Sequence, residues 1–150
     1  MSEKTNSTFV DVWRLFITTH ATLIGIIDKE MTAADVVPLH WYDVLIELYE
    51  ASDHKLRMHE LADKVVLSRS GLTRLVDRLE QAGYLQREVD PEDRRGFFTV
   101  ITEEGIAALR QGWKIYERGI NEHFAQFLTE EEATILQNAF TRILDAARDE

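Results

Sequence analysis

Residues 67–83 read LSRSGLTRLVDRLEQAG, and this stretch decides the fold of the chain. Apolar residues recur in it at the spacing of a helix, and polar or charged residues occupy the opposite face. The pattern predicts a helix from Arg69 to Ala82, with Ser68 as its N-cap and Gly83 as the residue that ends it. The predicted core face consists of Leu72, Leu75, Val76 and Leu79.

A shorter helix is predicted just before this one, over Met58–Val65, and Val66-Leu67 forms a tight connection between the two. Two short helices joined in this way are typical of a helix-turn-helix, whose second helix enters the major groove of DNA. The small Ala62 suits the helix crossing, and Leu67 suits the turn. The side chains predicted to point outward from the second helix are Arg69, Ser70, Thr73, Arg74 and Asp77. This helix alone is equally compatible with an ordinary helical bundle.

The residues after Gly83 predict a β-hairpin with a charged tip. Strand-like runs at Tyr84–Val89 and Gly96–Ile101 flank the polar turn Asp90–Arg95. The adjacent arginines Arg94 and Arg95 suit insertion into a narrow, electronegative minor groove. Asp93 is placed to orient Arg95 by a charge-assisted hydrogen bond. Helix and hairpin together predict a DNA-binding protein.

Long amphipathic helices are predicted on both sides of this segment. The first runs from about Thr8 to Glu30, and a second begins near Pro38. Residues 52–55 are predicted to form a loop. Thr102 is expected to cap a helix whose apolar residues extend from Ile106 to Phe127, and a capping box at 129–132 opens the last helix.

The predicted fold class is mainly α with a small β-hairpin wing. Residues 1–150 form a single domain, in which a winged helix-turn-helix lobe over 38–102 lies between helical dimerisation segments at 8–37 and 103–150. The apolar stripes of these terminal helices offer more surface than one small domain covers. A homodimer is therefore expected.

Composition narrows the class of protein. The chain is 45% hydrophobic and 29% charged, which is typical of a globular protein, and it has no cysteine for disulfides or thiolate metal sites. No apolar run is expected to reach the roughly 20 residues of a membrane span. The polar N-terminus lacks the layout of a signal peptide. These features predict a cytoplasmic protein without a membrane partner.

The net charge of −10 argues at first against a nucleic-acid partner. The charge is unevenly distributed, however. Residues 68–96 hold six arginines and six acidic residues, so the entire negative excess lies elsewhere in the chain. Every basic residue of this segment is arginine, the side chain best suited to bidentate contacts with bases and phosphates. The charge pattern therefore permits a DNA-binding face.

The sequence resembles the MarR (multiple antibiotic resistance regulator) family. Residues 67–80 followed by Gly83-Tyr84-Leu85 are similar to the family's recognition helix and first wing strand. DPEDRRG at 90–96 and VITEEG at 100–105 are similar to its wing and the start of its next helix. The resemblance covers the chain in helix order. It implies dimers held by the terminal helices, a palindromic operator in double-stranded DNA, and often a small ligand that weakens DNA binding.

Site residues follow from this resemblance. Ser68, Ser70, Thr73 and Arg74 match recognition-helix contacts, and Asp93 and Arg95 match the family's Asp-x-Arg wing motif. Val66 departs from the glycine that many helix-turn-helix sequences carry there. The full set of predicted DNA contacts is Ser68, Arg69, Ser70, Gly71, Thr73, Arg74, Arg78, Asp93, Arg94 and Arg95.

A second candidate site would bind a small aromatic or phenolic effector. Its residues are Trp13, His20, His40 and Trp41, because aromatic walls with a few polar groups suit such ligands. Core packing around a hydrogen-bonded histidine is the alternative interpretation. His54, His59 and Glu60 fix no metal-ligand set by their spacing, so no metal site is predicted.

Several functions remain open at this point. The preferred one is a ligand-responsive repressor. The alternatives are a constitutive or architectural DNA-binding dimer, a metal-responsive regulator, and a protein-interaction module. No phosphate loop, nucleophile elbow or zinc-protease motif is present, and neither an enzyme activity nor a cofactor is predicted.

Overall fold

The computed structural model describes residues 6–65 and 69–149, and for Arg69 and Arg94 it describes the backbone alone. The helices are α1 (Ser7–Ala33), α2 (Leu39–Glu50), α3 (Met58–Lys64), α4 (Arg69–Gln81), α5 (Glu103–His123) and α6 (Glu130–Arg148). The strands are β1 (Lys55–Arg57), β2 (Leu85–Asp90) and β3 (Asp93–Ile101), and they form an antiparallel sheet in the order β1-β3-β2. The predicted fold class, mainly helical with a small β-hairpin, is confirmed.

The chain divides into two compact units between Tyr116 and Glu117. The first contains α1 to α4, the sheet and most of α5. The second contains the end of α5, a 3₁₀ turn at Ala125–Phe127, and α6.

The core of the first unit fixes the orientation of α4. All four residues of its predicted core face are at most 3% exposed. They belong to a core whose other fully buried members include Met31, Leu45, Leu48, Leu61 and Leu85. Because one side of α4 is held in this core, the opposite side faces outward.

Local signals place the end of α4 and the start of α5 as predicted. Gly83 has a φ of +85°, a left-handed conformation that ends α4 and strains any residue with a Cβ. Thr102 caps α5, since its Oγ1 accepts a hydrogen bond from the backbone N–H of Gly105 at 3.1 Å. The apolar pattern ran on past the end of α5, however, and the helix stops at His123. Phe124 and Phe127 therefore lie outside it.

The predicted capping box opens α6. The backbone N–H of Glu132 donates to Thr129 Oγ1 at 3.1 Å, and the backbone N–H of Thr129 donates to Glu132 Oε1 at 3.0 Å. These bonds satisfy two donors that a helix start otherwise leaves without partners. The backbone N–H of Thr129, together with its hydroxyl, holds the pKa of the Glu132 carboxyl below its usual range.

The hairpin and the preceding loop correct the sequence interpretation. β2 continues to Asp90 and β3 begins at Asp93, so the turn consists of Pro91-Glu92 alone, and Arg94 and Arg95 belong to β3. Lys55, expected in a loop, starts a third strand by pairing with Val100. Its pairing partner lies far along the chain, on β3.

Helix α1 carries an exposed apolar face. Phe9 is 69% exposed and Trp13 60% exposed, and Val12, Leu15, Phe16 and Ile17 are also exposed. By length and composition alone α1 could cross a membrane, contrary to the expectation that no segment would qualify. Core helices of soluble proteins and signal sequences meet the same criterion, so it assigns no membrane location by itself.

Candidate functional site

The outward face of α4 carries most of the predicted recognition residues. Ser70, Thr73, Arg74 and Arg78 are exposed and Gly71 is half-buried, in agreement with the predicted orientation. Arg74 Nε lies 3.4 Å from the carbonyl oxygen of Ser70, one turn earlier. Three further predicted features lie outside the described residues: the turn at Val66-Leu67, the Ser68 cap and the Arg69 side chain.

One arginine of this segment is bound to the protein itself. Arg87, on β2, donates to Asp77 Oδ1 and to Glu80 Oε1, each at 2.5 Å, and both acceptors lie on α4. Its backbone N–H also donates to Glu80 Oε2 at 3.2 Å. The guanidinium lies 5.4 Å from the centre of the Phe97 ring. Arg87 therefore joins β2 to α4 and offsets part of the negative charge of two acidic side chains there.

The wing, defined as β2, β3 and their connecting turn, presents Arg95 as an exposed side chain. Asp93 Oδ1 accepts a hydrogen bond from the backbone N–H of Arg95 at 3.0 Å. The sequence had placed this bond on the guanidinium, whereas the structure has it on the backbone. Asp93 thus orders the start of β3. The Arg94 side chain is outside the description.

A cleft of about 440 Å³ lies between the helix-turn-helix and the wing. Thr73 lines it from α4, and Asp93 and Arg95 line it from β3. Arg57 and His59 also contribute to its wall. The structure therefore brings predicted contacts from the recognition helix and from the wing into one cleft, hereafter the helix–wing cleft.

Arg57 and Asp90 form an ion pair that the sequence did not predict. Arg57 lies at the end of β1, and its guanidinium reaches Asp90 at the end of β2. It also lies 4.7 Å from the centre of the Phe98 ring. The hydrogen bond from the backbone N–H of Glu92 (2.9 Å), together with Arg57, holds the pKa of the Asp90 carboxyl below its usual range. In sequence, Arg57 is only a charged residue between a predicted loop and a predicted helix.

The four candidate effector residues are all placed in the first unit. Trp13 and His20 are exposed on α1, and His40 is exposed at the start of α2. Trp41 is half-buried, with its ring edge-on to Tyr84 at 6.1 Å between centres. Within residues 6–65 and 69–149, no hydrogen bond, ion pair or ring contact joins these four residues to one another.

An aromatic cluster near α2 was not singled out from the sequence. Tyr42 is buried, with its ring 5.1 Å from that of Tyr116 and 6.4 Å from that of Trp113. Burial, with the nearby Tyr116 phenol, raises the pKa of Tyr42 to about 12. Burial also raises the pKa of Asp43, although the neighbouring His40 opposes this effect. The only sequence signal was the i, i+3 spacing of Trp113 and Tyr116.

The chain matches the family model described as "MarR family" over residues 37–96, which include the helix-turn-helix and the wing's arginines. It is 34% identical to the HTH-type transcriptional regulator MhqR of Bacillus subtilis (strain 168) over 102 residues, or 68% of each chain.

Two solved structures from Streptomyces coelicolor have the same fold. AbsC, a MarR family transcriptional regulator, is 27% identical, with a TM-score of 0.87 over 99% of this chain and 100% of AbsC. A second regulator of that family, solved in complex with DNA, is 28% identical, with a TM-score of 0.87 over 97% of this chain and 91% of its own.

Proposed function

Because the chain belongs to the MarR family of transcriptional regulators, we propose that it represses transcription by binding a palindromic operator as a homodimer. The observation that carries this proposal is the helix–wing cleft. Thr73 of α4 and Arg95 of β3 line it together, so one DNA segment lying across it meets a major-groove and a minor-groove element. The relative from Streptomyces coelicolor that was solved in complex with DNA supports DNA as the partner.

The proposed contacts divide by chemistry. Ser70, Thr73 and Arg74 read base edges, since they lie on the exposed face near the start of α4. Arg78, one turn further along that face, binds phosphate. Ser68, Arg69 and Gly71 complete the contacts at the helix start. Arg94 and Arg95 enter the minor groove, and Asp93 orders the strand that carries them.

Selection of binding sites from DNA of random sequence tests the proposal. Selection from a random duplex library is expected to enrich one palindrome, with half-site centres about 34 Å apart because two recognition helices enter successive major grooves. Binding that enriches no palindrome and no particular sequence would favour an architectural role. A promoter fusion carrying the selected palindrome then tests repression, since the protein is expected to lower its output.

The homodimer is proposed from exposed apolar side chains. Phe9, Trp13 and Leu15 on α1 are each at least 60% exposed, as are Phe127 and Ile143 in the second unit. Burying such surface against a second copy provides the hydrophobic contribution that holds obligate dimers together. We place the dimerisation segments at 8–37 and 103–150 and the DNA-binding lobe at 38–102. Light scattering of the wild type should show a dimer, and a stable folded monomer at micromolar concentration would contradict it.

A small aromatic effector is the further element of the proposal. Trp13, His20, His40 and Trp41 offer aromatic surface and protonatable groups on α1 and α2. A ligand at 100 times its dissociation constant adds about 2.7 kcal/mol to stability, which thermal-shift screening with aromatic acids detects. By linkage, a ligand that releases DNA binds less tightly to the DNA complex. Identical binding to wild type and His20→Ala would remove His20 from the site.

These roles place the protein in the cytoplasm, where its DNA lies. The proposed mechanism is an equilibrium between free and DNA-bound protein, and it involves neither a catalytic step nor a cofactor. The apolar face of α1 is assigned to the dimer rather than to a bilayer. Fractionation of cells tests this assignment, because membrane association of the full chain would contradict it.

A further inference from the structure

Arg57 and Asp90 lie on the two outer strands of the sheet, on either side of β3. Because the strand order is β1-β3-β2, a side chain from β1 must pass across β3 to reach β2. Arg57 pairs in register with Phe98 of β3, and its guanidinium lies over the Phe98 ring on the way to Asp90.

The central strand leaves room for this crossing at Gly96. A Cβ built on Gly96 would lie only 3.0 Å from Arg57 Nη1, so a residue with a side chain would push the guanidinium away by a few tenths of an ångström. Gly96 and the ring of Phe98, two residues apart on β3, both lie close to the Arg57 guanidinium. Phe98 and Gly96 thus line the path along which the Arg57 side chain crosses β3.

Asp90 is the residue that shapes the wing's turn. Its side chain is 4% exposed, and its Oδ1 accepts the hydrogen bond from the backbone N–H of Glu92 that closes the turn. Asp90 is also paired with Asp93, across an irregularity in the ladder between Val89 and Asp90. Arg57 neutralises this buried carboxylate by an ion pair. Without Arg57, the carboxylate would have to be solvated or protonated, and the turn would open.

We propose that Arg57 is a positioning residue for DNA binding, which orders the wing through Asp90 and so aims Arg95 into the minor groove. This rests on the proposed function, since it assumes that Arg95 contacts DNA. Because Asp90 neutralises the charge of Arg57, Arg57 acts through the wing and not as a contact to phosphate. The start of β3 lines the same cleft as Arg57, through Asp93, Arg95 and Gly96. A change at Arg57 therefore has only a short distance to act over before it alters the position of Arg95.

The test compares Arg57→Met, Asp90→Asn and Arg95→Ala with a matched control, Lys55→Met. Lys55 lies on the same strand, with its Nζ 4.6 Å from the centre of the Phe98 ring, but its charge has no ion pair among the described residues. Asp90→Asn keeps the oxygen that accepts from Glu92 and replaces the oxygen that pairs with Arg57 by an NH2 group, which removes the ion pair. The measurements are operator affinity, hydrogen exchange of the backbone amides at 92–96, and the melting temperature of each variant.

Arg57→Met and Asp90→Asn are each expected to weaken operator binding by about tenfold, as for loss of a charge-assisted hydrogen bond. Lys55→Met should change affinity far less. In the absence of DNA, hydrogen exchange of the backbone amides at 92–96 should accelerate in Arg57→Met and Asp90→Asn but not in Lys55→Met. In a chain that already carries Arg95→Ala, Arg57→Met should cause almost no further loss of operator affinity, because Arg57 acts through Arg95. The preference for A·T-rich flanks should weaken in parallel, which a merely structural role would not cause.

If the losses of binding free energy from Arg57→Met and Arg95→Ala add in the double variant, the proposal is overturned, since Arg57 would then act independently of Arg95. Unchanged exchange at 92–96 would overturn it as well. If Arg57→Met melts too early to be measured, Asp90→Asn provides the same comparisons. If the wild type selects no DNA, the proposed function is wrong, and the exchange measurement alone decides whether Arg57 orders the wing.

Discussion

Arg87 on β2 and Asp77 on α4 form an ion pair at 2.5 Å, which connects the wing directly to the recognition helix. Glu80, one turn later on α4, shares the same guanidinium. One guanidinium thus offsets part of the negative charge of two acidic side chains on a helix proposed to face DNA. Arg87, one of the six arginines of residues 68–96, is therefore paired within the protein.

Arg87→Met is therefore expected to weaken DNA binding although Arg87 makes no proposed contact with DNA. The variant leaves Asp77 and Glu80 uncompensated near the phosphates. Asp77→Asn in the same chain should restore part of the affinity. The effect on folding stability should be small, about 0.2–1 kcal/mol, because the pair is partly exposed. Affinity titrations of the two single variants and the double variant check this, and no rescue by Asp77→Asn would contradict it.

Arg74→Ala should relax base preference at one position of each half-site. A base contact of this kind contributes about 1–3 kcal/mol of discrimination. Sequencing of selected operators measures the preference position by position. Arg110→Ala is a suitable control, since Arg110 is exposed on α5, outside the helix-turn-helix and wing. An unchanged preference in the Arg74 variant would mean that Arg74 does not read a base.

Arg95→Ala should weaken binding and reduce its salt dependence. Removing one phosphate interaction makes the logarithmic salt dependence of the binding constant shallower by about 0.9. If Arg95 lies in the minor groove, affinity should fall most on operators with A·T-rich flanks, where that groove is narrow. Asp93→Asn should reproduce only part of the effect, because the cation remains. Equal affinities of wild type and Arg95→Ala at all salt concentrations would exclude the wing from binding.

Two glycine variants should differ sharply in stability. A Cβ on Gly105 would collide with the Tyr84 carbonyl and lie 2.8 Å from Ile101 Cγ1. Gly105→Ala should therefore cost about 1–3 kcal/mol, as overpacking does. The one close approach to a Cβ on Gly96 is the flexible end of Arg57 at 3.0 Å, and its other neighbours, atoms of Asp93, lie at ordinary contact distance, so the cost of Gly96→Ala should be smaller. Denaturant unfolding of both variants measures the difference, and equal costs would refute this account.

Tyr42 should resist ionisation at alkaline pH. Burial raises its pKa to about 12, from an ordinary value of 10.0. A raised pKa stabilises the fold below pH 10, and this contribution is lost as the pH rises toward about 12. Burial also raises the pKa of Tyr116, so ultraviolet titration of tyrosinate should show two late groups, of which Tyr42→Phe removes one. Tyr49→Phe, at a more exposed phenol, is the control; two late groups remaining in Tyr42→Phe would contradict the assignment.

Much of the fold was predictable because its signals are local. The buried face of α4, the left-handed Gly83 and the caps at Thr102 and Thr129 each depend on residues within about one helical turn. The outward face of α4 followed directly, since a helix with one buried side exposes the other. The end of α5 was misjudged because apolar residues continue past His123.

The wing's internal contacts and the helix–wing cleft were decided by tertiary structure. Arg57 and Asp90 are 33 residues apart, and neither sequence neighbourhood indicates the other. Strand β1 exists through its pairing with β3, and its register determines that Arg57 faces Phe98.

The identity of a charged residue in the sequence does not reveal whether its side chain faces water, DNA or a buried partner. The sequence by itself determined the helix-turn-helix, the hairpin and an arginine-bearing face, because periodicity and capping act over a few residues. Only the tertiary structure decided that Arg57 and Arg87 bind carboxylates while Arg95 remains exposed. Ion pairing depends on distances between strands and helices, and those distances are set by the packing of the whole unit.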